Sequence, residues 1–320
     1  MTELLWLMGA ATALINCPIN TIFSQCDVIL CDRLISQSSA THPYCEINET
    51  LLNFSEAGLK SQFSAGLFFK DMAGAHDSIV INNGPNTGLN QQAIFTKNSR
   101  EVDLIGPLHS NIFFCKRLLL NSVDLRIKLT RASDAFCLMG VRDSTYKLKL
   151  LGASLFVKKV NISPAVRLGH ESALLKANAM YPLSRVTVKT YSIPQNSRIC
   201  NLENLFLGAI PKYIVLGLVD HEAYTGRRDL SPFNFRHMNV EYLALSRDGK
   251  QIPSKAFQPT FYQGTSVREF YNLFTATSGH LKDLPLAINR IDYQQGYTMF
   301  AFNLNSAEDV EALSPVANGN

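Results

Sequence analysis

The chain has 320 residues, enough for one large domain or two of ordinary size around a substantial core. Hydrophobic residues make up 46% and charged residues 18%, which excludes extended disorder and suits a surface with much of its area against neighbours. The net charge of +4 includes no basic run longer than the pairs Lys158-Lys159 and Arg227-Arg228, so no sequence-specific nucleic-acid groove is expected.

The amino terminus is apolar over residues 4–15, but no Lys or Arg precedes the run and Glu3 carries the wrong charge for a secretory signal. The run is also too short to span a bilayer, so neither secretion nor a membrane span is expected. Next comes a strand, a polar turn and a short strand over residues 28–36. The spacing of Tyr44, Ile47, Leu51 and Phe54 behind Pro43 predicts a helix over residues 43–64.

Residues 123–129 alternate apolar and polar without a fault. Val123, Leu125, Ile127 and Leu129 should face a core, with Asp124, Arg126 and Lys128 in water. Residues 146–150 repeat the pattern, and residues 185–191 do so less cleanly. The runs at 112–120, 213–219 and 297–304 are continuously apolar, β-branched or aromatic, as in strands buried on both faces. A helix is expected over residues 164–180, stopped by Pro182. Asp248-Gly249 between two strand-like runs predicts a hairpin turn. Ser266-Val267-Arg268-Glu269 reads as a capping box, followed by an apolar stripe at Val267, Phe270, Tyr271 and Phe274, with Gly279 at the end. Many strands, few helices and no regular β-α alternation point to a mainly β chain, a sandwich or jelly roll.

The strand, turn, strand and helix at residues 28–36 recur at residues 243–254, with Asp32 matching Asp248 at an offset of 216 residues. That offset places the end of the second unit beyond residue 320 and the start of the first before Met1. Both units are therefore expected to be incomplete.

Little in the chain carries catalytic chemistry. It holds no G-x-x-x-x-G-K-[ST] phosphate loop, no G-x-S-x-G elbow and no H-E-x-x-H zinc helix. The seven histidines (42, 76, 109, 170, 221, 237, 280) are scattered, without H-x-H. Asp220-His221-Glu222 is the densest cluster, but as successive strand residues they would point to alternate faces and could not all grip one ion. His109, after Gly106-Pro107, suits a structural hydrogen bond, and Pro232-Phe233-Asn234-Phe235 suits a loop packing two aromatics on the core. The seven cysteines (17, 26, 31, 45, 115, 137, 200) are odd in number and irregular in spacing, as expected of buried, reduced side chains. Three N-x-S/T sequons begin at Asn48, Asn53 and Asn161, the first two within an expected helix. No catalytic, cofactor-binding or metal-binding residue is assigned, and no enzyme activity is expected. The rival reading is a small-ligand or carbohydrate-binding, cupin-like jelly-roll module.

Several blocks, in order, resemble the double jelly-roll major capsid proteins of Polinton (Maverick) elements and adintoviruses. They are residues 44–71, closing on Phe68-Phe69-Lys70-Asp71; Gly106-Pro107-Leu108-His109 leading into Phe113-Phe114; and Leu118-Leu119-Leu120-Asn121 with Val123-Asp124. Then come residues 178–185 around Tyr181-Pro182; Leu207-Gly208 with Pro211; Ala223-Tyr224-Thr225-Gly226; and Pro232-Phe233-Asn234-Phe235. The resemblance covers residues 16–304. It implies two tandem jelly rolls, at residues 16–142 and 143–305, an unmatched segment at 1–15 and a polar tail at 306–320. It further implies a structural protein that trimerises into capsomers of an icosahedral shell, or a transposon-derived remnant of one. Its partners would be other copies of itself and a single jelly-roll minor capsid protein. Its location would be intracellular, cytoplasmic or nuclear, and the virion once assembled. Family members carry further strands at both ends, so this chain is expected to lack the first strands of one roll and the last of the other. Expressed alone, it should then aggregate through open sheet edges.

Overall fold

In the computed structural model, residues 2–7, 12–36, 39–115, 117–206, 208–247, 249–277, 280, 286–304 and 318–319 are described. The first half of the chain forms β1 (Thr2–Leu7), β2 (Thr12–Leu14), α1 (Pro18–Thr21), β3 (Phe23–Leu30), β4 (Arg33–Leu34), α2 (His42–Asn53), α3 (Glu56–Lys60), α4 (Thr87–Thr96), β5 (Val102–Leu104), β6 (Leu125–Arg131), α5 (Asp134–Cys137), β7 (Leu138–Gly140) and β8 (Lys147–Ala153). The second half forms α6 (Pro164–Leu174), β9 (Gly208–Ala209), β10 (Tyr213–Gly217), α7 (His221–Thr225), β11 (Leu243–Arg247), β12 (Lys250–Phe257), α8 (Val267–Ala276), α9 (Arg290–Gln294), β13 (Met299–Asn303) and β14 (Asn318–Gly319).

All named ladders among the described strands are antiparallel, and the sheets are small. Sheets β5-β1-β8 and β4-β3-β6 have three strands; β2-β7, β10-β13, β11-β12 and β14-β9 have two. Helix and strand cover similar lengths, so the expectation of a mainly β chain is corrected to a mixed one. One source of the difference is α4, whose apolar residues are spread around the helix: Leu89 and Ala93 are buried while Ile94 and Phe95 are exposed. Its start is set by Asn86, whose side chain accepts from the Leu89 N–H.

The alternation at residues 123–129 places β6 on β3, with Val28 opposite Ile127 and Leu30 opposite Leu125. Leu125 and Ile127 pack on the buried cluster of Cys26, Val28 and Ile112, while Asp124, Arg126 and Lys128 are exposed. Leu129 departs from the expectation and is exposed, near the end of the ladder. Cys31 and Asp32 both take positive φ between β3 and β4, as the commonest two-residue hairpin turn requires. The second expected hairpin forms too, with Arg247 paired to Lys250 and Ser246 to Gln251; Asp248 lies outside the described residues. β13 alternates between two cores: Met299 and Ala301 enter one, Phe300 and Phe302 the other. β10, its partner, is only half-buried.

Several expected elements are different. The helix at 43–64 breaks into α2, α3 and a short 3-10 turn at Gln62–Gly66. Residues 112–115 form turns closed by Phe113 N–H on Ser110 and Cys115 N–H on Ile112, not a strand. Residues 185–191 join no ladder. Around α8 no Ser266 side-chain cap is made; its hydroxyl instead accepts from Gln294. Glu269, Leu273 and Ala276 form its buried face, and Val267 and Tyr271 are exposed. Phe270 and Phe274 of the expected stripe pack on the core beside this face, because α8 packs on β13 and α9, where Phe270 meets Tyr293 edge-on. Gly279 lies outside the described residues, as do residues 8–11 and most of the 306–320 tail, of which Asn318–Gly319 pair with β9.

The main core joins Leu14, Ile15, Tyr44, Ile47 and Leu51 to Phe233, Phe235, Leu273, Tyr293 and Met299. It therefore draws on residues from both sides of position 142. The stretch from 138 to 148 is tied on both flanks, by β7 on β2 and by β8 on β1.

Candidate assembly surface

Beyond β8 the chain leaves the body of the protein. From Ala153 to Asn204 only Tyr181 and Val188 are less than exposed. Sixteen large apolar side chains in this arm are solvent-facing, with Phe156 at 70% and Leu175 at 89%. An extended chain exposes roughly 160 Å² per residue, so half-exposed side chains of this number leave on the order of 1,000 Å² of apolar surface. The largest apolar patch on a typical monomer is about 300–600 Å².

The arm's one described helix, α6, is built from local signals. Ser163 accepts from the Val166 N–H, Pro164 opens the first turn, and Arg167 pairs with Glu171 at 3.2 Å. No residue of α6 is buried. A free helix of this length is marginal in water, since most helical stability comes from packing an apolar face. The arm is pinned near its midpoint: the Tyr181 hydroxyl donates to Leu118 C=O and accepts from the Leu120 N–H, and Arg117 donates to Met180 C=O at 2.7 Å. Two sequence blocks 63 and 61 residues apart are thereby brought together.

The residues singled out from the sequence go elsewhere. His109 is buried, with Nδ1 2.8 Å from Glu49 Oε2 and Nε2 3.8 Å from Glu46 Oε1. Glu46 is 2% exposed and accepts from the Thr50 hydroxyl; burial pushes its carboxyl up to about 7, against the opposing pull of His109. Burial takes the neighbouring His42 imidazole down to about 4. Asp220-His221-Glu222 is not a strand end. Asp220 caps α7, accepting from the Glu222 N–H, because an Asp side chain satisfies the open donors of a helix start better than a strand. Glu222 turns to Arg227, which also holds Asp229. Phe233 and Phe235 are buried aromatics, Phe233 edge-on to Tyr44 at 5.7 Å. Cys17, Cys26 and Cys137 are buried, but Cys31 and Cys200 are exposed, on a turn and on the arm; all seven are free thiols. Asn48 and Asn53 lie on α2, and Asn161 is exposed on the arm. Among the described residues no group of three or more His, Cys, Asp or Glu could hold a metal ion.

Sequence reasoning missed a second buried polar group. Asn16 Nδ2 donates to Phe69 C=O at 2.7 Å, Gln92 donates to Asn16 Oδ1 at 3.0 Å, and Asn86 donates to Asp71 at 2.8 Å. Burial pushes the Asp71 carboxyl up to about 6. The only signal was Asp71 closing a block of the resemblance. A surface crevice of about 180 Å³ is lined by Tyr44, Phe136, Tyr224, Pro43 and small residues. Ligand pockets usually hold about 300–1,000 Å³. No described helix is long and apolar enough to cross a membrane.

The chain is similar to an uncharacterized protein of Caenorhabditis elegans, 24% identical over 320 residues, covering 96% of this chain and 71% of that protein. No family model and no solved structure matches.

Proposed function

We propose that this chain is a structural, non-catalytic protein that works by assembling with copies of itself, a capsid-type double jelly roll or a transposon-derived remnant of one. The observation that carries the reading is the arm at residues 153–204. It presents an apolar area comparable with the roughly 800 Å² that each partner buries in a standard protein interface. The antiparallel ladders, and a tight hairpin followed by a helix in each half, support the double architecture. In this reading residues 16–142 and 143–305 each contribute one roll, and the aromatic core around Tyr44 and Phe233 is the seam between them. Trimers are the first assembly step, and capsomers tile a shell.

Sedimentation velocity of the whole chain beside a Phe156→Asp, Leu168→Asp, Leu175→Asp variant tests this. The parent should sediment as species larger than a monomer, and the variant should lose much of that material. A parent that stays monodisperse at 35.6 kDa through tens of micromolar overturns the proposal. The rival small-ligand reading rests on the aromatic crevice. Saturable calorimetric binding of a small aromatic compound or a monosaccharide, lost in Tyr224→Ala, would favour it.

A further inference from the structure

His76 lies in a turn at residues 73–77 and is 2% exposed. Its ring meets Tyr297 edge-on, with centroids 4.7 Å apart. Gly296 closes another side: its φ is +106°, and a Cβ there would sit 2.3 Å from His76 Cε1. Neither buried ring nitrogen has a hydrogen-bond partner among the described residues.

The surroundings form a seam between distant parts of the chain. The Gly74 N–H donates to Gln295 C=O at 2.7 Å, and the Tyr297 hydroxyl donates to Asp71 C=O at 2.7 Å. Asp77 accepts from the Ser231 N–H and from Asn234 Nδ2, each at 2.8 Å. Lys70 pairs with Asp292 and sits 5.0 Å over the Tyr297 ring.

The charged and titratable groups facing His76 are therefore Lys70, Asp71 and Asp77 on its own segment, Asp292 on α9, and Tyr297. Asp77 already holds two donors, Asp292 takes Lys70 and the Asn289 N–H, and Asp71 takes Asn16 and Asn86. An imidazolium here would be buried beside a lysine, with neither ring nitrogen hydrogen-bonded among the described residues; Asn234 Oδ1, against the same side of Gly296, is the neighbouring amide oxygen.

We propose that His76 is an acid-sensitive pin: protonation of its ring opens the seam between residues 70–77 and residues 231–235 and 292–297 while the remaining core stays folded. This goes beyond the assembly reading and does not depend on it. Burial and Lys70 hold the closed ring down at about 4, with Asp292 pulling the other way; an opened ring regains the ordinary value near 6.5. The open form thus binds the proton first. His76 by itself leaves opening unaffected above about pH 6.5 and favours it as pH falls toward 4, by about 20-fold between pH 7 and pH 5. Asp71, titrating near 6, works in the opposite direction, because its closed form takes the proton more readily.

Hydrogen exchange, corrected for its intrinsic pH dependence, reads the seam through two amides bonded across it: Gly74 on Gln295 C=O and Ser231 on the Asp77 carboxylate. From pH 7 to pH 5 their protection should fall about 20-fold more in the parent than in a variant without the imidazole, Asp71 offsetting about tenfold of the change in both, while the β3–β6 ladder amides hold theirs. His76→Met and His76→Phe leave only the opposing effect of Asp71, so seam protection in these variants should rise as pH falls. NMR titration of the ring in the parent protein should give a value near 4, a readout that stands even if both variants fail to fold. The same pH dependence of seam protection in parent and variants, or a ring that titrates at 6.5 or above, would each overturn the proposal.

Discussion

In the turn at residues 70–77 most polar groups bond within the chain, to residues more than a hundred positions away as well as to near neighbours. In the arm at residues 153–204 the bonds are few and the apolar side chains face water. Both stretches are mostly irregular backbone. The difference is one of coverage: other parts of the same chain bury the turn, and nothing among the described residues buries the arm. Core and arm should therefore answer mutation in opposite ways.

The largest effect should come from Phe233→Ala, which removes a ring packed on Tyr44 and Phe136. Urea unfolding should show a loss of about 3–5 kcal/mol. A loss below about 1 kcal/mol would mean that this aromatic cluster is not the core.

Glu46→Gln probes the buried carboxyl. Its closed-state value is raised from about 4.5 to about 7, so the parent loses stability as pH climbs through that window. The variant, which cannot ionise, should be more stable by about 3 kcal/mol above pH 7 and no more stable than the parent at pH 4. Stability curves at the two pH values decide; a variant weaker than the parent at pH 8 would show that the charged form is favoured inside.

On the arm the effects shrink. Ser163→Ala should weaken α6 by about 1 kcal/mol, visible as faster amide exchange over residues 166–174, with the melting temperature unchanged. Leu175→Ser should move unfolding free energy by no more than about 0.5 kcal/mol while weakening self-association measured by sedimentation. A large loss of stability from Leu175→Ser would place that side chain in a core and dissolve the contrast.

How much was legible depended on how local the signal was. The alternation of residues 123–129 located β6 and its faces because a two-residue period allows one buried side and one wet side. The continuous run at residues 297–304 correctly announced a strand buried on both faces. Residues 185–191 carry a similar signal, yet they form no ladder, since a strand also needs an edge that its own sequence cannot supply. For α8 the period was right and the face partly so: Phe270 and Phe274 pack on the core while Val267 and Tyr271 stay exposed, because packing on β13 and α9 chose the face.

The chemistry-bearing groups divide in the same way. That His109 serves a structural contact could be argued from its place after Gly106-Pro107, and that Phe233 and Phe235 go inside could be argued from their type. That Asn16, Asp71, Asn86 and Gln92 converge could not, since hydrogen bonds spanning 15 to 76 residues leave no mark on local spacing.

By itself the sequence determined periodicity, turns and helix starts: the Cys31-Asp32 hairpin, the Pro164 opening of α6 and the double burial of β13. These follow from backbone sterics and hydrogen bonding among near neighbours. Only the tertiary structure decided which polar groups are buried together, which face of α8 is covered, and that the arm is left in water. Those outcomes depend on which distant surfaces meet, and desolvation acts on a side chain only after they do.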